Sequence, residues 1–197
     1  MKALLLSGGM DSTCIAWWQR PDVAIFVDYG QIPAQAEEAA ARAVCEVIGL
    51  RFEVVRADCS ALGSGDMAGA PGLSVSPVPE WWPFRNQLIL TLAGVTALRL
   101  GATSLMIGAL VSDGVHADGR PEFITAVSNL MAMQEGGLTV SAPAIEMTAV
   151  ELVQTSGIPQ EVVAWAHSCH KSNIACGQCR GCRKHYATWK ALGWPPH

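Results

Sequence analysis

Apolar positions along the chain change period several times. Residues 3–6 are a short unbroken apolar run, as suits a strand covered on both faces. From Ser12 to about Arg20 the pattern turns helical and stops at Pro21. Residues 23–28, rich in β-branched and apolar side chains, predict a second strand. Residues 34–49 predict a helix, with Glu37 and Glu38 in its first turns and Gly49 at its end, as the helix dipole and a C-cap favour. Residues 52–55 predict a third strand. This β-α-β-α-β order predicts a parallel sheet with helices on both faces.

Residues 57–82 break the rhythm. They carry many Gly, Ser and Pro with adjacent Trp81 and Trp82, and read as a loop or lid long enough to suspect function. The tryptophans suit either base stacking or core and interface packing. A helix resumes over 84–100, then a strand over 104–108 with a Gly- and Asp-bearing loop, 112–120, at its C-terminal end. A helix over 121–134 opens on Pro121, the favoured first position. A strand at 138–141, short helices at 148–156 and 160–166, and a terminal helix to about Leu192 complete the pattern. The fold class is α/β, a doubly wound parallel sheet, with 1–166 as the main domain and 167–197 as a segment packed on it. No repeat or low-complexity tract interrupts it.

Composition sharpens this. Half of the 197 residues are hydrophobic and 15% are charged, against about 25% charge in a typical soluble domain. Disorder is excluded, and a thick core, a subunit interface or both are expected. The net charge of −4 supplies no global basic field, which argues against a nonspecific nucleic-acid binder. The most apolar stretch, 88–111, is broken by Arg99 and Gly101, so no membrane span is expected. The N-terminal apolar run is too short for a signal peptide. The expected location is cytoplasmic.

Between the first strand and helix stands Ser7-Gly8-Gly9-Met10-Asp11-Ser12-Thr13, preceded by Leu6. At the carboxyl end of a strand such a turn presents free backbone N–H groups and the positive end of a helix dipole to a phosphate. Gly8 and Gly9 lack Cβ and permit close approach, and Ser7, Ser12 and Thr13 donate hydroxyls. Asp11 suits a Mg²⁺ ligand, since hard cations take carboxylate oxygens and bridge to phosphates. The same residue types also cap helices. The motif is neither a Walker A loop nor a Gly-x-Gly-x-x-Gly turn.

Of seven cysteines, Cys14, Cys45 and Cys59 are scattered and suit buried packing. Cys169, Cys176, Cys179 and Cys182 cluster with a spacing that suits a closed, structural Zn²⁺ site. His167 and His170 are alternative ligands, and an iron–sulfur cluster is an alternative occupant.

The Ser7–Thr13 motif resembles that of the PP-loop ATP pyrophosphatases, which cleave ATP to AMP and pyrophosphate and share an adenine nucleotide alpha hydrolase-like fold. Together with Asp28-Tyr29-Gly30-Gln31, Glu37, Arg85-Asn86, Asp113, Asp118, Arg120-Pro121-Glu122-Phe123, Ser168-Cys169 and the remaining cysteines, the chain resembles the 7-cyano-7-deazaguanine synthase family nearly end to end. The resemblance implies a ligase using ATP and Mg²⁺, with structural Zn²⁺. It would adenylate 7-carboxy-7-deazaguanine, couple it with ammonia to an amide, and dehydrate the amide to a nitrile with a second ATP. It implies catalytic roles for Asp11, Arg85, Asp113 and Asp118, with 6–13 holding the nucleotide. Arg85 would hold a phosphate or the substrate carboxylate, and Asn86 a base edge or its own helix terminus. Asp113 and Asp118 would accept from the deazaguanine or bind Mg²⁺, and Arg120 would pair with one of them. A homodimer is also implied.

The chain departs from the family pattern at several points. His116-Ala117-Asp118-Gly119-Arg120 stands where Tyr-Pro-Asp-Cys-Arg is usual. Ile32-Pro33 replaces a basic pair, and Ala149 a lysine. These departures suggest a divergent member, with the amide as product or a protein or nucleic-acid amine as acceptor as alternatives. A PP-loop tRNA modifier and a non-catalytic nucleotide-binding protein are the other classes the motifs admit.

Overall fold

A computed structural model describes residues 1–195; the last two residues of the predicted C-terminal segment, 196–197, lie outside the described residues. Five parallel strands form one sheet in the order β3-β2-β1-β4-β5. They are β1 (Lys2–Leu5), β2 (Val23–Asp28), β3 (Arg51–Arg56), β4 (Ser104–Met106) and β5 (Thr139–Ser141). In register, Leu4 lies between Ala24 and Met106. The chain winds outward from β1 to β3, returns past its start to β4, and winds outward again to β5. The direction reverses between β1 and β4, and there the carboxyl ends of an open α/β sheet leave a crevice.

The strands alternate between two cores, as a period of two requires. Leu4, Leu6, Ala24, Phe26 and Met106 pack with Ile15 of α1 (Met10–Gln19), Ala41 and Cys45 of α2 (Ala34–Ile48), Leu152 of α5 (Ala149–Ser156) and Val163 of α6 (Gln160–Val163). Ala3, Leu5, Val23, Ile25 and Leu105 face Leu90 and Ala93 of α3 (Arg85–Arg99) and Ile124 and Val127 of α4 (Pro121–Ala132). This double burial accounts for much of the apolar surplus. Helix α1 starts at Met10, two residues before the apolar pattern shows it, because Met10 is itself buried under the sheet's first core. Strand β3, at the edge, is half-buried and carries the Arg51–Glu53 ion pair, which blunts an exposed edge.

The Gly- and Pro-rich stretch after β3 folds back over the sheet. Trp82 is buried in the second core, its ring edge-on to Tyr29 with centroids 5.0 Å apart, so it packs rather than offering a stacking face. Helix α3 is entered through Phe84, whose φ of 54° is left-handed, an uncommon state for an aromatic residue. The C-terminal segment ends in α7 (Arg180–Ala191) and returns to the sheet's mouth. The His167 N–H donates to the Gly8 carbonyl at 2.9 Å, and the Ala36 N–H to Asn173 Oδ1 at 3.0 Å.

Candidate active site

A cavity of about 240 Å³ opens at the reversal point. Its floor is the turn from β1 into α1. Leu6, Ser7, Gly9, Met10, Asp11 and Ser12 line it. The N-terminus of α1 has no side-chain cap, so its first N–H groups remain for an anion. Ser7 and Ser12 hydroxyls lie 3.1 Å apart, and Ser12 Oγ donates to the Gly9 carbonyl at 3.1 Å. Two members of the motif do other work. Gly8 has φ +76°, and a Cβ there would sit 2.2 Å from the Glu37 carbonyl. Its missing side chain lets α2 approach the loop, where the sequence suggested approach of a phosphate. Thr13 is fully buried outside the cavity lining, its Oγ1 unpartnered among the described residues.

Above the loop, Lys184 of α7 bridges two predicted carboxylates, with Nζ 2.7 Å from Asp11 Oδ2 and 3.5 Å from Asp113 Oδ1. Asp113 is itself fixed by the Leu110 N–H, which donates to its Oδ2 at 2.9 Å. Burial raises the Asp11 pKa; Lys184 works against that rise and Asp113 adds to it. For Lys184, burial disfavours the ammonium but the two carboxylates outweigh it, and its pKa is raised.

Arg85 also lines the cavity, with its Nη1 3.0 Å from the Met67 sulfur. Beside it Glu37 accepts a 2.9 Å hydrogen bond from Gln31 Nε2. Asn86 lines the cavity but is tied to Asp118: its N–H donates to Asp118 Oδ2 at 3.2 Å and its Nδ2 to the Asp118 carbonyl at 3.0 Å. Asp118 thus caps the first turn of α3 from a distant loop and lies outside the cavity lining. Arg120 is exposed and also outside the lining; its Nε donates to the Gly114 carbonyl at 2.9 Å rather than to a carboxylate. Gly119 presses against the Asp113 backbone, where a Cβ would meet the carbonyl at 2.4 Å, so the thiol usual in the related loop has no room in this packing.

The cavity's other positive charge comes from the cysteine segment, a source that sequence reasoning missed. Arg180 Nη1 lies 3.0 Å from Glu80 Oε1 and 3.2 Å from His116 Nε2, and Nη2 donates to the Ser112 carbonyl at 2.9 Å. Burial alone would raise the Glu80 pKa, but the His116 ring, its Nε2 3.7 Å from the carboxylate, and the Arg180 hydrogen bond bring it down to about 2. Arg180 and Lys184 are four apart, one face of one helix; that spacing behind Cys179 was the available signal.

Sγ atoms of Cys169, Cys176, Cys179 and Cys182 all lie within 4.8 Å of one another. A tetrahedral site with metal–sulfur bonds of about 2.3 Å separates its sulfurs by about 3.8 Å, so the donor set fits one metal ion. Backbone N–H groups of His170 and Cys182 donate to Cys179 Sγ, both at 3.4 Å, and that of Cys179 to Cys176 Sγ at 3.4 Å, as suits thiolates. His167 bonds elsewhere, its Nε2 2.9 Å from the Ser172 carbonyl. Neither histidine belongs to the group.

A parallel sheet reversed at an uncapped Ser-Gly-Gly loop, with a cavity over it lined by Lys184 and Arg180 of the four-cysteine segment, defines an α/β protein of the PP-loop class. A solved structure, the U34-tRNA thiolase NcsA from Methanococcus maripaludis with its [4Fe-4S] cluster, shares that fold. Its TM-score is 0.53 at 16% identity over 97% of this chain, which spans 64% of the thiolase's length. The chain belongs to the family described as queuosine biosynthesis protein QueC, whose model matches residues 2–193. It is 33% identical to the 7-cyano-7-deazaguanine synthase of Desulforudis audaxviator (strain MP104C), covering 92% of each chain. It is 31% identical to that of Ralstonia pickettii (strain 12J), covering 98% of this chain and 95% of the relative.

Proposed function

We propose that this chain is an ATP-dependent ligase that adenylates 7-carboxy-7-deazaguanine and couples it with ammonia, through the amide, to give 7-cyano-7-deazaguanine. One observation carries the reading: within this family's chain, a single cavity is lined by the uncapped turn at Ser7–Ser12, by Lys184 and by Arg85. The loop N–H groups and the Ser7 and Ser12 hydroxyls hold the ATP phosphates. Asp11, with Asp113 close by, is the hard-oxygen site that suits Mg²⁺, which would neutralise phosphate charge when bound. Lys184 balances those carboxylates and faces the charge that develops as pyrophosphate leaves. Arg85 orients the substrate carboxylate through its planar fork. The segment carrying Glu80 and the loop carrying His116 close over the cavity and keep water from an adenylate.

The four thiolates suit Zn²⁺ in a structural role, holding Arg180 and Lys184 over the site. A reducing, cytoplasmic location suits such thiolates. A homodimer is supported by Val95, Leu98, Leu130 and Met133, which α3, α4 and its C-cap leave exposed.

The test is incubation with ATP, Mg²⁺, ammonia and 7-carboxy-7-deazaguanine, read by mass spectrometry. Nitrile with AMP and pyrophosphate is expected. AMP formed only with a protein amine would replace ammonia by that acceptor, and no AMP under any condition would overturn the ligase reading.

A further inference from the structure

Among the described residues, one acid of the cavity lining, Glu37, makes no ion pair. Asp11 and Asp113 are committed to Lys184, and Glu80 to Arg180 and His116. Glu37 meets a neutral donor instead. Gln31 is buried and fully engaged: its Oε1 accepts from the Tyr29 N–H at 2.9 Å, and its Nε2 donates to the Val27 carbonyl at 3.3 Å and to Glu37 Oε2 at 2.9 Å. The Tyr29 N–H fixes which end of the amide is oxygen, so Gln31 can only donate to Glu37. Oε2 therefore stays an acceptor, and a proton arriving at Glu37 goes to Oε1. Close contact between Gly8 and the Glu37 carbonyl sets this residue directly beside the phosphate loop.

We infer that Glu37 is the catalytic base that removes protons from the substrate nitrogen in both stages of the proposed ligation. The inference rests on the ligase reading above. In the first stage the ammonia lone pair forms the C–N bond at the acyl-adenylate carbon. The C–O bond to AMP breaks with its electron pair, and the surplus N–H proton passes to Glu37 Oε1 and then to solvent. In the second stage the amide oxygen has displaced pyrophosphate from ATP. Two N–H protons are then lost in turn to Oε1 and solvent as the C–O bond breaks toward AMP, leaving the C≡N bond. Oxygen leaves with AMP, and no oxidant or reductant is needed.

The environment suits a base that works near neutrality. Burial raises the Glu37 pKa to about 7; the Gln31 hydrogen bond and Arg85 of α3 lower it, and Asp28 at the end of β2 raises it. Tyr29, whose own pKa burial raises further, stays neutral beside it. A base of this strength is well matched to the working pH.

The test uses the full chain with its metal. Acid-dependent ATP–pyrophosphate exchange reports adenylation, and single-turnover amide and nitrile formation report the nitrogen steps, each between about pH 6 and about pH 9 at constant free ammonia. For Glu37→Gln the ratio of amide formation to exchange is expected to fall about 100-fold, and the rise of that ratio through about pH 7 to disappear. Glu37→Asp is expected to keep the rise at a lower rate. A Glu37→Gln ratio within about threefold of wild type, or an unchanged pH profile, overturns the inference. If Glu37→Gln folds poorly, Glu37→Asp decides: loss of the pH dependence there also overturns it. Wild-type protein without acid-dependent exchange overturns the proposed function itself, and this inference with it.

Discussion

Lys184 Nζ lies 2.7 Å from Asp11 Oδ2, so a residue of the cysteine-bearing C-terminal helix reaches the Ser7–Ser12 turn at the start of the chain. Without it, the neighbouring carboxylates of Asp11 and Asp113 would lose the ammonium they share. Lys184→Met should cut acid-dependent ATP–pyrophosphate exchange on the order of 100-fold, and Lys184→Arg should recover part of it. Exchange rates for the two variants check this; equal activity in Lys184→Met would remove the lysine from the phosphate chemistry.

Much of this arrangement is legible in the sequence, because it depends on local pattern. The strand and helix order follows from period alone, and the Ser-Gly-Gly-x-Asp-Ser turn and the cysteine spacing are contiguous signals. Contacts across the chain are not. Asp118 looks like a cavity carboxylate until α3, 32 residues away, is seen to need its N–H groups satisfied. Arg180 and Lys184 look like ordinary polar positions of a terminal helix until that helix folds back over residues 7–12. Trp82 reads equally well as a stacking surface until its contact with Tyr29 is known. Ionic partners far apart in sequence leave no periodic trace.

Metal content should govern both stability and the site. About one metal ion per chain is expected, bound by the four thiolates. Cys179→Ser should lower the melting temperature by roughly 10 °C and raise protease sensitivity between β3 and α3, because Arg180–Glu80 and Lys171–Asp66 both tie that stretch to the cysteine segment. Metal analysis and limited proteolysis test this; a metal-free chain with unchanged melting would contradict it.

The two loop glycines should separate. Gly8 combines a φ of +76° with the Glu37 carbonyl 2.2 Å from any Cβ, so Gly8→Ala is expected to cost roughly 3 kcal/mol or more. Gly9 has φ −75° and nothing nearer than Ser7 Oγ at 3.4 Å. Gly9→Ala should fold normally and bind ATP more weakly, since the added methyl enters the cavity. Thermal melts and nucleotide titration of the pair decide it.

Glu37 should impose a stability cost at neutral pH. Its carboxyl titrates near 7 in the folded chain, against about 4.3 when unfolded. Between those values the folded state binds more protons than the unfolded state, so stability falls as pH rises through that window and stays low above it. Glu37→Gln should match wild type near pH 4 and exceed it by up to roughly 3.5 kcal/mol near pH 8. Denaturant melts at both pH values test the sign, and a variant less stable than wild type at the higher pH would contradict the assigned environment.

Arg180 should control how tightly the cavity is closed. It binds Glu80 from the segment before α3 and the Ser112 carbonyl from the loop after β4, and it reaches His116 at the same time. Arg180→Met leaves the Glu80 carboxylate buried without its cation, which favours opening of that segment toward water. An opened cavity would let water compete with ammonia for the adenylate. AMP release should then outrun product formation, where the closed site releases one AMP for each bond-forming stage. The AMP-to-product ratio, measured at saturating ammonia, should rise at least about threefold in Arg180→Met. Arg180→Lys, which keeps the charge but loses the two-pronged contact, should fall between the two. A ratio that stays at the wild-type value in Arg180→Met would mean that closure depends on the apolar packing of Trp82 rather than on this ionic clasp.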